Sequence, residues 1–413
     1  MWFRSRYICA LDIGSTKISC LVARVTSTNA LHIVASGYAQ AYGIKQGVIE
    51  NLNEAANSIK DAIVMAEENF GRRIDAAIVN VSSPALKSQY CEAEITLTEN
   101  KTITTSDMKK VVEAAIAKVD TTQQEILHQI PICYTRNDQD EDRNPLGLTA
   151  SKLKVKVLVI TAPLHQIRDL THALERYSIK IIAKVATPLA DSLAVLSPEE
   201  KKAGSIVIDL GGGLTSIAVF MDDFVHYVGT LPLGAHLITS DIAQVLKTSV
   251  QDAEYLKTMK GSTLLAPQDD KTPVEVPVLG NGGAPATPKT ISRAFLIRII
   301  VCRVEEMLKL LMQHIRQQDI PPLSTERIVF CGGGSELTGL YDKAAAVLQV
   351  PVYLGKPSPI PGMPSTPSAT TYSTCVGLLM YALNQRKREE RQETPLKNNS
   401  FIVRILKWLH NNF

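Results

Sequence analysis

The stretch that decides the fold is Ala10-Leu11-Asp12-Ile13-Gly14-Ser15-Thr16, and it has a counterpart about half a chain away. The counterpart is Ile208-Asp209-Leu210-Gly211-Gly212-Gly213, which aligns Asp on Asp and Gly on Gly. Each copy lies between two apolar runs that predict β-strands. A repeat of this kind indicates two related α/β halves, each with an acidic strand end and a glycine-rich hairpin. Two such hairpins predict a cleft between the halves.

The residues of both hairpins are suited to binding a triphosphate. Backbone N–H groups hold phosphate oxygens, and only glycine or small side chains let the main chain come so close. Ser15 and Thr16 add hydroxyl donors, and Lys17 adds a positive charge for the β- and γ-phosphates. Asp12 and Asp209 are suited to hold Mg²⁺ through water molecules, because Mg²⁺ keeps much of its hydration shell.

A third glycine cluster, Gly332-Gly333-Gly334-Ser335, follows a predicted strand at 327–331 and precedes a predicted helix at 336–348. One glycine-rich turn alone is usually just a turn. Three clusters in this order, two of them with Asp-x-Gly after an apolar strand, predict a nucleotide site. The third cluster is expected to close over the ribose or base.

Composition places the chain among packed globular proteins. It has 413 residues, of which 45% are apolar and 21% charged, and a length of this kind predicts two to three domains. The net charge of +3 is too near zero to indicate nucleic-acid binding. Seven scattered cysteines indicate a reducing compartment. The sequence has no transmembrane-length apolar run and no secretory signal, so we expect a cytosolic chain unless something holds it to a surface.

These features resemble the superfamily of actin, the sugar kinases and the heat-shock chaperones. Residues 12–17 resemble its first phosphate motif, 209–215 its second and 331–339 its adenosine motif. Residues 185–196 and 372–383 resemble its two connecting helices, which form the interdomain hinge. The resemblance implies an α/β, two-domain actin-like (ribonuclease H-like) fold with ATP and Mg²⁺ in the cleft.

A closer resemblance is to the FtsA family of bacterial cell-division proteins. An inserted unit at 84–163 lies where FtsA carries its extra, SHS2-like subdomain in place of the one that actin has. The strings that carry the resemblance are Gly234-Ala235-His236-Leu237-Ile238-Thr239-Ser240-Asp241-Ile242-Ala243, Asp252-Ala253-Glu254, Val274-Glu275-Val276-Pro277 and Tyr372-Ser373-Thr374-Cys375-Val376-Gly377-Leu378-Leu379.

Two residues join the predicted nucleotide site by resemblance alone. In the family pattern Glu254 and Lys257 contact the ribose or adenine, and an exposed i, i+3 charge pair on a helix is an equally good interpretation. The complete predicted site is Asp12, Gly14, Ser15, Thr16, Lys17, Asp209, Gly211, Gly212, Gly213, Thr215, Glu254, Lys257, Gly332, Gly333, Gly334 and Ser335.

The resemblance also implies a division of the chain into units. Helical spacing of apolar residues predicts helices at 53–70, 106–119 with Ser106 as N-cap, and 291–317. The expected units are 1–83 and 164–198 for the first half, with a helix at 375–384 returning to it, 84–163 for the inserted subdomain, 199–230 and 308–374 for the second half, 231–307 for its small subdomain, 385–399 for a flexible linker, and 400–413 for an amphipathic helix.

One position departs from the superfamily pattern. Members that hydrolyse nucleotide place Glu or Gln just before the first connecting helix, where it orients or activates the attacking water. Thr187 stands there in this chain, and a hydroxyl is a poor general base at neutral pH. Asp191 is a weak catalytic candidate, since a structural role in the first helical turn explains it better. The sequence predicts slow or absent hydrolysis, with ATP as a conformational and assembly ligand.

The C-terminal segment 400–413 predicts a membrane anchor. A helix of this length spans roughly 21 Å, well short of the ~30 Å hydrocarbon core, so it can lie flat but not cross. Its basic face, with Arg404 and Lys407, favours anionic lipid, and docking on the chain's own body is the alternative. The predicted membrane-facing residues are Phe401, Ile402, Ile405, Leu406, Trp408, Leu409 and Phe413.

The expected partners follow from the FtsA resemblance alone. FtsA receives the acidic C-terminal peptide of FtsZ, the tubulin-like ring protein, on the small subdomain. Arg303 matches a family position there and Arg293 lies nearby, although solvated helix charges explain each equally well. The resemblance implies a polymerising protein that ties the FtsZ ring to the cytoplasmic face of the inner membrane at the septum and recruits later division proteins. The alternatives are a sugar-kinase-like phosphotransferase and the pilus-assembly ATPase PilM.

Overall fold

The first half of the chain is built on a strand meander followed by a long helix. The computed structural model describes residues 6–279, 287–318, 320, 327–365 and 369–393. The predicted membrane helix at 400–413 therefore lies outside the described residues. The first elements are β1 Tyr7–Ile13, β2 Lys17–Val25, β3 Leu31–Gln40, β4 Ile44–Lys45, β5 Val48–Ile49, α1 Leu52–Phe70 and β6 Ala76–Val81.

Helix α1 forms where the apolar spacing predicts it. The Asn51 side chain caps its start by accepting from the backbone N–H groups of Asn53 and Glu54. Gly71 ends it in the left-handed conformation, at φ 68°. The buried face carries alanine and isoleucine at helical spacing and covers one side of the sheet.

The inserted unit is an antiparallel sheet covered by one helix. Its elements are β7 Lys87–Thr102, α2 Thr105–Ile116, β8 Gln124–Arg136, β9 Asp140–Asp142 and β10 Thr149–Pro163, with the strand order β7-β10-β8-β9. The N-cap of α2 is Thr104, not Ser106 as the sequence predicts. The reason is a capping box: Thr104 accepts from the Asp107 N–H while the Asp107 carboxylate accepts from the Thr104 N–H.

The chain then returns to the first sheet and enters the first connecting helix. The returning elements are α3 Leu164–Glu175, β11 Lys180–Ala186 and α4 Thr187–Val195. The first sheet has the order β11-β6-β1-β2-β3, with β6 parallel to both β1 and β11. The carboxyl ends of these three parallel strands therefore meet at one edge, where ligands of open α/β sheets bind.

The second half repeats this topology. Its elements are α5 Pro198–Ala203, β12 Ser205–Leu210, β13 Thr215–Met221, β14 Phe224–Leu231, α6 His236–Leu246, α7 Val250–Lys260, β15 Pro273–Val276, β16 Lys289–Ser292, α8 Arg293–Arg316, β17 Ile328–Cys331, α9 Leu340–Leu348, β18 Val352–Leu354 and α10 Ser373–Glu393. The sheet order β14-β13-β12-β17-β18 matches the first sheet strand for strand, with the same parallel and antiparallel pairs. The duplication predicted from the two Asp-x-Gly stretches is confirmed by this topology.

Three expectations differ from the structure. The predicted helix at 336–348 begins only at Leu340, because Gly339 takes a left-handed conformation, at φ 78°, after a short 3-10 turn at Gly333–Glu336. The expected boundary at 307/308 falls inside the continuous helix α8, whose buried face packs in one core with β12 and α6. Helix α10 continues to Glu393, so the first part of the expected linker 385–399 is helical.

Helices α4 and α10 connect the halves by packing against each other. Gly377 lies against the carbonyl of Ala190, so close that a Cβ atom on Gly377 would overlap it. The start of α10 also packs on β1 and β2, and the Cys375 thiol donates to the carbonyl of Ser19 on β2 at 3.4 Å. The assignment of helix 375–384 to the first half stays a prediction, since α10 packs in a core that contains residues of both halves.

Candidate functional site

The two glycine-rich hairpins face each other across a cleft between the halves. A cavity of about 360 Å³ lies there, within the usual range for small-molecule sites. Gly212 lies against the Thr16 side chain, and a Cβ on Gly213 would lie 2.8 Å from the Ser15 hydroxyl. The Ser15 hydroxyl accepts from the N–H of Gly47 at 2.8 Å, which fixes the first hairpin against the loop between β4 and β5.

The same cleft is lined by the two aspartates that the sequence predicts to hold a metal ion. Asp12 ends β1 and Asp209 ends β12, and both are half-buried. Loss of solvent raises the pKa of Asp12 to about 6, although Lys17 opposes the change. Loss of solvent, and then repulsion from Asp12, raises the pKa of Asp209 to about 7. When both carboxylates are ionised, the single ammonium of Lys17 balances only one of the two negative charges on this desolvated floor, which is the electrostatic condition of a cation site.

Lys17 is held beside this acidic floor. Its ammonium lies 4.7 Å from the centre of the Tyr372 ring, within range of a cation–π interaction. Burial lowers the pKa of Lys17, and the Asp12 carboxylate opposes that effect. A cation at this point can approach the phosphates that the hairpin N–H groups are expected to bind.

Glu254 and Lys257 line the cleft as an ion pair on α7. The Lys257 ammonium lies 2.7 Å from Glu254 and also donates to the Thr239 hydroxyl at 2.9 Å. Burial opposes ionisation of Glu254, but Lys257 and the hydrogen bonds outweigh it, so its pKa lies below the usual value. The i, i+3 ion pair is therefore present, as the alternative interpretation expects. It is not a fully exposed pair, however, because the lysine side chain is only 11% exposed and lines the cleft.

The third glycine cluster borders the second aspartate. Gly332 has φ +80°, and a Cβ there would overlap the Asp209 carboxylate. Gly332, Gly333 and Gly334 all line the cleft. Only glycine combines this conformation with this approach.

Two predicted nucleotide-binding side chains do not line the cleft. The Thr215 hydroxyl donates to the carbonyl of Leu233 and is buried. The Ser335 hydroxyl donates to the carbonyl of Gly332 at 2.6 Å and is fully buried. Both hydroxyls satisfy local backbone carbonyls, so they stabilise the loops that carry the site; the other fourteen predicted residues line it.

The cleft also contains residues that the sequence reasoning missed. Asn80 and Ser82, at the end of β6, lie beside Asp12 and Thr187. A polar pair ending an apolar strand parallel to β1 was the signal that could have indicated them. The remaining lining residues not named so far as site candidates are Leu214, Ser216, Ala235, His236, Ile238, Thr258, Glu336, Leu337, Thr338, Thr370, Thr371 and Thr374.

Asp191 lies beneath the cleft and does not line it. The residue is fully buried on α4, where its Oδ1 accepts from the Thr374 hydroxyl of α10 at 2.8 Å. Burial raises the pKa of Asp191 well above its usual value, and repulsion from Asp209 adds to the effect. The position favours the structural interpretation, because the carboxyl joins the two connecting helices.

Arg303 and Arg293, the predicted partner-binding residues, are both engaged within the chain. Arg303 makes a two-pronged contact with Asp241 of α6, with its Nη2 2.8 Å from Oδ1. Arg293 donates to the buried Asp269 at 2.7 Å. Each guanidinium therefore has a structural role, and neither is the solvated helix charge of the alternative interpretation.

Two matched half-domains, a cleft between their acidic hairpins and an inserted unit define a protein of the actin-like class. Sequence comparison then identifies the lineage. The model for "Cell division protein FtsA" matches residues 206–377, and the model for the "SHS2 domain inserted in FTSA" matches residues 84–161. The chain belongs to the FtsA family of cell division proteins.

Relatives match along nearly the whole chain. Cell division protein FtsA of Rhizobium meliloti (strain 1021) is 33% identical over 424 residues, covering 99% of this chain and 96% of that protein. FtsA of Escherichia coli (strain K12) is 29% identical over 419 residues, covering 99% and 98%. FtsA of Pseudomonas aeruginosa is 28% identical over 417 residues, also covering 99% and 98%.

Solved structures agree with the actin-like fold. The PilM-PilN type IV pilus biogenesis complex superposes with a TM-score of 0.62 at 17% identity, covering 92% of this chain and 99% of that one. MreB5 of Spiroplasma citri bound to ADP superposes with a TM-score of 0.56 at 13% identity, covering 94% and 99%. Among the described residues, no helix has the length and apolar character needed to cross a membrane.

Proposed function

We propose that this chain binds ATP with Mg²⁺ in the cleft and uses it as an assembly ligand during cell division. The observation that carries the proposal is the meeting of Asp12 and Asp209 on one cleft floor between two glycine-rich hairpins. The structural relatives bound to ADP and to AMPPNP support a nucleotide in this fold. The sugar-kinase and pilus-assembly alternatives lose support because the relatives along the whole chain are FtsA proteins.

The residues of the cleft floor fit Mg²⁺. Loss of solvent raises the pKa of both Asp12 and Asp209, and the Lys17 ammonium offsets only part of this effect at Asp12. Carboxylate oxygens and retained water are the ligands that Mg²⁺ prefers, and the ion supplies the missing positive charge next to phosphate. In this arrangement Lys17 and the hairpin N–H groups bind phosphate oxygens, while Glu254 and Lys257 face the nucleoside.

We expect the bound nucleotide to turn over slowly or not at all. Thr187 occupies the position at which a Glu or Gln would orient the attacking water, and its hydroxyl donates to the carbonyl of Val81 at 3.0 Å. A hydroxyl that is already committed as a donor supplies no general base. Phosphate release measured at steady state checks this, and turnover near the ~10 s⁻¹ median of enzymes would contradict it.

The nucleotide site is tested by equilibrium binding of a fluorescent ATP analogue with Mg²⁺ and with EDTA. We expect Asp209→Lys to abolish the Mg²⁺-dependent part of binding, because its ammonium would occupy the place of the cation. Asp222→Lys, the same charge change at an exposed carboxylate in the turn between β13 and β14, is the matched control. Equal binding by the Asp209 and Asp222 variants would refute the assignment of the site.

In the cell, we infer that the chain polymerises and ties the FtsZ ring to the cytoplasmic face of the inner membrane. Family membership and the amphipathic composition of residues 400–413 support this role. Liposome flotation tests the anchor with Trp408→Glu, and Asn411→Glu adds the same charge to the polar face as a control. We expect only the Trp408 variant to lose flotation on anionic vesicles, and equal flotation of both variants would end the anchor proposal. Electron microscopy on a lipid monolayer with ATP tests polymerisation.

The small subdomain is our proposed contact for the acidic C-terminal peptide of FtsZ, with later division proteins bound through the inserted subdomain. Helix α7 carries exposed apolar side chains at Val250, Tyr255 and Met259, which are 50%, 58% and 64% exposed. Fluorescence anisotropy with the labelled peptide tests this contact. We expect Tyr255→Ser to weaken binding and Val64→Ser, an exposed apolar residue of α1, to leave it unchanged. Weaker binding by the Val64 variant and unchanged binding by the Tyr255 variant would mean that the peptide binds another surface.

A further inference from the structure

We propose that Asn80 is a positioning residue that fixes the Asp12 carboxylate for the metal–nucleotide complex and links it to the first connecting helix. The inference rests on the function proposed above. Asn80 ends β6, which lies parallel to β1, so its side chain reaches the end of the strand that carries Asp12. It is 2% exposed and borders the cleft.

The orientation of the Asn80 amide is determined by its neighbours. Its Oδ1 accepts from the backbone N–H of Ile13 at 2.7 Å, and its Nδ2 donates to Oδ1 of Asp12 at 2.8 Å. Turning the amide over would place two donors face to face and two acceptors face to face. The structure therefore assigns one hydrogen of Nδ2 to the Asp12 carboxylate.

This hydrogen bond fixes the orientation of the Asp12 carboxylate group. Hydrogen bonds from an amide to an ionised carboxylate are short and directional, and they limit rotation of the carboxylate plane. Oδ1 is held by Asn80, so Oδ2 is the oxygen left for water molecules around a cation. A ligand oxygen that is already oriented costs less conformational entropy on binding.

The second amide hydrogen connects the same residue to α4. Thr187 has one hydroxyl hydrogen, which it donates to the carbonyl of Val81 at 3.0 Å. Its two lone pairs then accept from the Ser82 hydroxyl at 2.7 Å and from Asn80 Nδ2 at 3.2 Å. The hydroxyl of Thr187 is thereby fully used, which leaves it no capacity to orient a water molecule. Asn80 thus joins the metal-facing carboxylate to the first residue of a connecting helix.

The test is the concentration of Mg²⁺ needed for half-maximal binding of a fluorescent ATP analogue by the full chain. We expect Asn80→Ala to raise this concentration about tenfold or more, while nucleotide affinity in EDTA changes less than twofold. Ser83→Ala is the matched control, because Ser83 is also buried after β6, its hydroxyl accepts from the nearby Ala85 N–H, and it does not line the cleft. The control is expected to stay within twofold of the parent.

A double-mutant cycle shows whether Asn80 acts through Asp12. In an Asp12→Asn background, Asn80→Ala is expected to add less than a twofold further change. Asn80→Ser, which keeps a polar group but is too short to reach Asp12, replaces Asn80→Ala if the alanine variant fails to fold, and the same shift is expected.

Three results would separate the possible failures. Equal weakening of binding in Mg²⁺ and in EDTA would mean that Asn80 has a purely structural role, and the positioning proposal would be wrong. An unchanged Mg²⁺ requirement in a folded Asn80 variant would also overturn it while leaving the nucleotide site intact. Absence of nucleotide binding by the parent chain would instead refute the proposed function.

Discussion

Asp209→Asn should make the ligand-free protein more stable while it removes the proposed Mg²⁺ function. In the absence of a cation the Asp209 carboxylate is desolvated and faces Asp12, and its pKa rises from 3.8 to about 7. Asparagine keeps the shape of the side chain and removes the charge. A residue that lowers stability in the free protein is typical of a site built for a ligand.

The size of the effect follows from this pKa. At 1.36 kcal/mol per pKa unit, the ionised carboxylate costs about 4 kcal/mol at pH 8, and we halve this to about 2 kcal/mol because the cleft is open to solvent. A folded pKa above the unfolded value means that the folded state binds more protons. Stability is therefore highest at low pH and falls as the pH rises from about 4 to about 7. The advantage of the variant should shrink to about 1 kcal/mol at pH 5.

Thermal unfolding in EDTA, followed at pH 5 and pH 8, measures this directly. We expect the Asp209→Asn variant to unfold at a higher temperature than the parent, with the larger difference at pH 8. Adding ATP and Mg²⁺ should then raise the midpoint of the parent and leave that of the variant nearly unchanged. A variant that is less stable than the parent at pH 8, or a difference that grows toward pH 5, would refute the electrostatic reasoning.

Further predictions concern the nucleoside end of the cleft, the connecting helices and the inserted unit. Lys257→Met should weaken binding of the ATP analogue about tenfold, because it removes a buried ammonium from the cleft. In the same titration, Lys260→Met on the same helix should change the affinity less than twofold. Gly377→Val should lower the free energy of unfolding by about 1–3 kcal/mol in urea titration, because its side chain would overlap the Ala190 carbonyl at the crossing of α4 and α10; unchanged stability would contradict that packing. Burial lowers the pKa of His128 to about 4, and its Nε2 accepts from the Ala186 N–H. A lowered pKa favours the neutral ring in the folded state, so this stabilisation is lost as the pH falls from about 6.5 toward 4. Between pH 7 and pH 5, the parent should therefore lose up to about 2 kcal/mol more free energy of unfolding than His128→Gln in the same denaturation assay.

Much of the cleft could be predicted from the sequence because the segments that form it are short and continuous in the chain. A strand that ends on Asp and turns through glycines is encoded within a few residues, and both copies form as expected at Asp12 and Asp209. The inserted unit is confirmed by the family comparison at 84–161, almost the range expected. The two predicted side chains that do not line the cleft, Thr215 and Ser335, lie in the loops that carry the site, and their hydroxyls donate to backbone carbonyls.

Contacts between distant segments could not be predicted in this way. One partner of Arg303, Asp241, lies 62 residues away on another helix, and nothing local to Arg303 indicates that contact. The sequence places Asp191 about one helical turn after Thr187, but its burial next to Asp209 depends on how the two halves pack. Glu254 and Lys257 show both aspects, because their spacing indicates the ion pair and only the packing of α6 on α7 buries the lysine.

The sequence by itself determined the duplicated halves, the acidic hairpins and the inserted unit, since strand periodicity and glycine turns depend on near neighbours. Only the tertiary structure decided which side chains complete the cleft. Asn80 meets Asp12 and Thr187 across 68 and 107 positions of the chain. Such meetings depend on the parallel pairing of β6 with β1 and β11, in which long-range backbone hydrogen bonds bring three strand ends to one edge.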